Sequence, residues 1–99
     1  MDFKKLVLLF NETNSNLQAR VARSVDIALV VRNWLFGWYI VEFEQNGEDR
    51  AKYGAKFLEK LSSKLKTLNI KGVSETRLKL YRSFYLDSAD TVGQIWNYK

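Results

Sequence analysis

Cysteine, histidine and proline are all absent from this chain of 99 residues, and glycine occurs only five times. Without cysteine there is no disulfide framework and no thiolate metal site, which fits a reducing compartment. Without histidine as well, zinc chemistry and the commonest general base are both missing. The expectation is a chain that is not itself an enzyme and takes no cofactor. The lack of proline leaves helices unbroken, and five glycines give few other breaks. Long apolar runs are lacking too. Leu6 to Phe10 is only five residues, and Asn11-Glu12 follow it with no small-residue cleavage site, unlike a secretory leader. Ile27 to Val41 is interrupted by Arg32-Asn33 and falls short of the ~20 apolar residues a bilayer span needs. A soluble, cytoplasmic protein with no membrane partner is expected.

What is present is an apolar content of 46% with three tryptophans, too much for disorder and enough for one core. Residues 1–99 are read as a single domain. Its charge is uneven. Between Arg50 and Arg82 stand ten basic residues against two acids, Glu59 and Glu75, whereas the remainder holds six basic and nine acidic residues. Such clustering points towards a polyanion more than the overall balance does, the plain alternative being a solvated lysine-rich surface.

The apolar spacing predicts an all-α fold: a compact domain of four to five helices with one long central helix. The first helix starts on Asp2 as N-cap and carries Phe3, Leu6, Val7 and Phe10 on one face, with a polar break expected at Asn11 to Asn16. The central helix is expected from about Leu17 to Gln45. Leu17, Val21, Val25 and Ala28 lie on one side, and Gln18, Arg20, Arg23 and Asp26 lie mostly off it. Its second half, ALVVRNWLFGWYIVEF, is apolar nearly all round, so neighbours must wrap it or another subunit must cover it. Core packing is the ordinary reading of Trp34 and Trp38. An oligomer face formed by Val31, Trp34 and Trp38 is the alternative. Asn46-Gly47 should end the helix, with glycine in the left-handed conformation.

A third helix is expected from Gly54 to Lys66, burying Phe57, Leu58, Leu61, Leu65 and Leu68. Lys56, Lys60 and Lys64 form a row on an adjacent face, where their mutual repulsion favours a bound anion. A short connection, Thr67 to Val73, leads to a fourth helix capped by Ser74, with Val73 and Leu78 placed as a hydrophobic staple. Leu78, Tyr81, Phe84 and Tyr85 make its apolar face. Thr76, Lys79 and Ser83 lie opposite, with Arg77 and Arg82 on the borders. A short element around Val92 to Trp96 is expected in the tail. Residues 54–86 thus form a helix-turn-helix-like pair, although the connection exceeds the tight turn of the usual motif.

The stretch RNWLFGWYIVEFEQNGEDRAKYG (Arg32 to Gly54), followed by FLEKLSSKL, KGVS and YRSFY, resembles the N-terminal domain of the YhcG-type PD-(D/E)XK nuclease family over about residues 17–85. Gly72, Ser74, Leu78, Arg82, Phe84 and Tyr85 fit that pattern. Arg77 stands where an asparagine is frequent, and the tail departs from the usual tyrosine-proline continuation. The resemblance implies a helical, helix-turn-helix-like module with a DNA-related role, cleavage belonging to a nuclease domain that acts in cis or in trans. The nuclease's clustered carboxylates are missing from these residues: no Glu-x-Lys occurs, and Glu42 and Glu44 sit two apart on a helix, on different faces.

The leading expectation is therefore binding of double-stranded DNA. Thr76, Arg77, Lys79 and Ser83 would face base edges, and Lys56, Lys60, Lys64, Lys71 and Arg82 would meet phosphates. The alternative is a protein-interaction or homodimerisation module that uses the apolar central helix. The two are compatible, since many helix-turn-helix proteins bind as dimers.

Overall fold

The computed structural model describes the backbone of residues 1–19 and 25–96, and side chains over residues 1–16 and 28–88. It is all-α, with no strand among the described residues. Helix α1 spans Phe3–Ala19, α2 Val25–Asn46, α3 Arg50–Tyr53, α4 Phe57–Thr67 and α5 Glu75–Trp96, and a 3₁₀ turn at Gly54–Lys56 links α3 to α4. None of these helices is long and apolar enough to cross a membrane. The amphipathic face expected at the start of the central helix, from Leu17 to Asp26, lies outside the residues whose side chains are described.

Asp2 starts α1 as its spacing requires, its carboxylate accepting from the Lys5 amide at 2.8 Å. Asp49 reaches the same end and accepts from the Phe3 amide at 3.0 Å, so a loop 46 positions away shares the cap. The polar break expected at Asn11 to Asn16 is helix instead. Asparagine, serine and threonine disfavour helix interiors because their side chains offer the backbone other partners. Here two of those side chains are engaged across the core. Thr13 and Asn14 are buried, the Thr13 hydroxyl lies 3.0 Å from that of Tyr39, and the Asn14 carbonyl accepts from Arg32 at 3.2 Å. Tertiary bonding overrides local preference.

The core joins Leu6 and Phe10 of α1, Phe36 and Ile40 of α2, Leu61 of α4 and Leu78 of α5, all fully buried. Phe10 stacks on Phe36 at 4.2 Å, and Phe43 on Phe57 at 4.6 Å. Helix α2 is central, packed against α1 on one side and α5 on another. Gly37 marks the closest approach: a Cβ there would fall 2.1 Å from the Tyr81 carbonyl oxygen of α5. Gly47 ends α2 as expected but for another reason. Its φ is not positive; its amide bonds the Phe43 carbonyl at 2.8 Å, and a Cβ would strike the Phe43 ring.

Helix α5 continues through the tail instead of stopping near Tyr85 with a separate element at Val92 to Trp96. Nothing in the sequence breaks it, and Ser88 folds its hydroxyl back onto the Phe84 carbonyl at 2.8 Å while accepting from Trp34 Nε1 at 2.6 Å. Val73 and Leu78 are both buried in the core, as a staple at the start of α5 requires. Phe84, expected on the apolar face, is 39% exposed, because the buried edge of α5 runs along Leu78 and Tyr81 and leaves Phe84 outside it.

Candidate nucleic-acid interface

Helix α5 opens at Ser74, whose hydroxyl accepts from the Arg77 amide at 3.2 Å. The preceding turn, Leu68 to Val73, uses left-handed residues at Asn69 (φ 60°) and Gly72 (φ 71°). Tyr81 Oη donates to the Gly72 carbonyl at 2.6 Å. Arg32 Nη1 donates to the Lys71 carbonyl at 3.0 Å and to Asn14, while its Nε and Nη2 share the Asn33 carbonyl oxygen. Buried and stacked 4.9 Å above the Phe36 ring, this guanidinium meets no carboxylate among the described residues. Three neutral oxygens take its place and tie α1, α2 and the turn together. The sequence marks Arg32 as an interruption of an apolar run and assigns it no binding role.

With the turn fixed from inside, the Lys71 side chain stands in solvent. So do Thr76, Arg77, Lys79 and Ser83, on the side of α5 away from the core. Lys79 lies 3.7 Å from Glu75, an exposed contact one helical turn apart. Arg82 is held more firmly: its Nη1 is 2.7 Å from a Glu44 carboxylate oxygen, which bridges α5 to α2.

The lysine row has different neighbours. Lys56 is exposed in the 3₁₀ turn, and Lys60 Nζ sits 5.3 Å over the Tyr53 ring, with Lys52 Nζ at 5.9 Å. Lys60 and Lys64 flank a depression with Phe3, Glu59, Ser63 and Thr67. On its other side, Lys64 borders a groove that also holds Lys4 and Lys5 of α1. Lys60 and Lys64 therefore lie along the α1 side of α4. Lys4, Lys5 and Lys52 join the basic surface without having been singled out, because the first two are distant in sequence and the third falls outside the i, i+4 row.

Leu68, expected in the buried stripe of α4, is exposed at that same groove. Trp34 and Trp38 are not core residues in the ordinary sense. Trp34 is half-buried, 5.1 Å from the Tyr85 ring and 6.0 Å from Trp38, while Trp38 and Val31 are each 43% exposed. Because α1 and α5 cover only part of α2, an apolar strip with Leu29 and Val30 at one end is left open.

Comparison with known proteins places these elements in context. The profile of the DUF1016 N-terminal domain matches residues 11–96, which takes in the second half of α1 and the whole of α2 to α5. The protein named "Putative nuclease YhcG" from Escherichia coli (strain K12) is 39% identical over 69 residues, covering 70% of this chain but 18% of that protein. The chain thus spans under a fifth of that relative's length. No solved structure matches it. With four of its five helices wholly inside the matched region, the chain belongs to the DUF1016 N-terminal domain family.

Proposed function

We propose that this domain is a DNA-binding, helix-turn-helix-like accessory module that targets or anchors a nuclease activity carried elsewhere. The supporting observation is the state of its cations. Of the basic residues between Arg50 and Arg82, only Lys79 and Arg82 pair with a carboxylate among the described residues. Lys56, Lys60, Lys64, Lys71 and Arg77 are exposed and opposed by little acid. In this reading α5 presents Thr76, Arg77, Lys79 and Ser83 to base edges. Arginine suits the paired acceptors of guanine, while the lysines position the duplex through phosphate. The nuclease link rests on the name of the Escherichia coli relative.

A fluorescence-anisotropy titration against duplex DNA at two salt concentrations tests this. Binding should weaken with salt by roughly one slope unit per phosphate contact, and Arg77→Ala/Lys79→Ala should weaken it by about tenfold or more. Salt-independent binding, or an unaffected double variant, would refute the reading. A second reading, homodimerisation through Val31, Trp34 and Trp38, is favoured by the open strip on α2. Light scattering that shows a strict monomer at high concentration would remove it.

A further inference from the structure

The groove between α1 and α4 has a chemistry that a DNA interface does not need. Its volume is about 500 Å³, and Val7, Leu8 and Leu68 give it an apolar lining. Lys4, Leu8 and Asn11 follow one another at i, i+4 and i+7 along α1, and they face Lys64 of α4 and Leu68, the residue that caps the end of α4. A helical ridge beside the end of a second helix leaves a groove into which a third helix can lower its own ridge of side chains. Leu8 is 53% exposed and Leu68 is open as well, so the receptacle is unfilled within the described chain.

The charge around it is one-sided. Lys4, Lys5 and Lys64 stand at the rim, and none is paired among the described residues. Asp2, the sole lining acid among the described residues, is occupied as the N-cap of α1. A ligand that satisfies both features carries an apolar ridge flanked by carboxylates. Duplex DNA supplies the charge without the ridge. We infer that the α1–α4 groove docks an acidic amphipathic helix of a partner protein, its leucines over Leu8 and Leu68 and its carboxylates at Lys4, Lys5 and Lys64. This goes beyond DNA binding and shares only Lys64 with it.

The test uses the whole chain and a fluorescein-labelled helical peptide of about 18 residues, long enough at ~27 Å to run along α1. Its leucines recur at i, i+3, i+4 and i+7 with glutamates on both flanks, and a second peptide carries lysines in their place. The glutamate peptide should bind and the lysine peptide should not. Leu8→Gln should weaken binding about tenfold through lost apolar contact, and Lys64→Glu about fivefold or more through reversed rim charge. Both side chains are exposed, so both variants should retain the wild-type circular dichroism and melting. Leu8→Gln should leave duplex DNA binding unchanged. Peptide binding by a chain that ignores DNA would sink the proposed function and leave this inference standing. Equal binding of the two peptides, or of the variants and wild type, would overturn it. So would binding of dodecanoate without binding of the glutamate peptide, since the groove would then take a small amphiphile.

Discussion

Replacing Gly37 by alanine puts a methyl carbon where α2 crosses α5. It would lie 2.1 Å from the Tyr81 carbonyl oxygen, 2.8 Å from the Tyr81 carbonyl carbon and 2.8 Å from Tyr85 Cβ. The two nearest atoms are backbone, which no rotamer change can move. Ordinary contact begins near 3.4 Å, so the helices must part by about 1.3 Å at the crossing. A gap of ~1 Å already forfeits up to half of the dispersion energy of the atoms it separates. The atoms separated here include Phe36 against Tyr81 and Trp34 against Tyr85. Overpacking of this kind costs about 3 kcal/mol. Alanine recovers about 1 kcal/mol over glycine in helix propensity, which leaves a net loss of about 2 kcal/mol. For a domain of this size that lowers Tm by about 8–16 °C. Thermal and urea melts followed by circular dichroism measure it, with tryptophan fluorescence reporting on Trp34. If Gly37→Ala were as stable as wild type, or more so, propensity would outweigh contact and the close crossing would not exist.

The remaining predictions concern the turns and the pairs around them. Gly54→Ala meets nothing within 4 Å but must hold φ 52° and ψ −136°, so it should lose about 1–2 kcal/mol from conformation alone, read by urea denaturation. Tyr81→Phe removes the hydrogen bond to the Gly72 carbonyl and should lose about 1 kcal/mol in the same assay. Arg32→Leu strands the oxygens of Asn14, Asn33 and Lys71 and should lose about 3 kcal/mol or more; Arg32→Lys, which lacks the fork, should recover only part. Glu44→Gln releases Arg82 from its partner, so duplex DNA binding should tighten and its salt slope steepen by up to about one unit. An unchanged slope would remove Arg82 from the phosphate contacts.

Much of the helical pattern was legible because it depends on neighbours in sequence. Asp2 announces the start of α1, Ser74 that of α5, and the spacing of Phe57, Leu61 and Leu65 gives the buried face of α4. The continuity of α1 through Asn11 to Asn16 was not legible. It depends on Tyr39 and Arg32, which lie 26 and 18 positions from the residues they hold, and local propensity carries no trace of either. The same limit hid the role of Arg32. An arginine in an apolar run reads as an interruption until the three oxygens that receive it are in place.

For the candidate interface, periodicity reveals which residues share a face but not what that face lies beside. Lys56, Lys60 and Lys64 read as one row, yet the structure puts Lys56 in the 3₁₀ turn and only Lys60 and Lys64 on α4, whose face can border any helix packed against it. Lys64 borders Lys4 and Lys5 of α1. The outward side chains of α5, by contrast, are placed by a turn anchored from within, through Arg32 at Lys71 and Tyr81 at Gly72. The domain therefore divides its cations between two settings. Those at the turn and on α5 stand on polar surface, where phosphate is a sufficient partner. Those beside α1 stand around leucine and valine, where charge alone leaves the apolar lining wet. A single polyanion satisfies the first setting and wastes the second, and for that reason we propose a nucleic acid for one surface and a protein helix for the other.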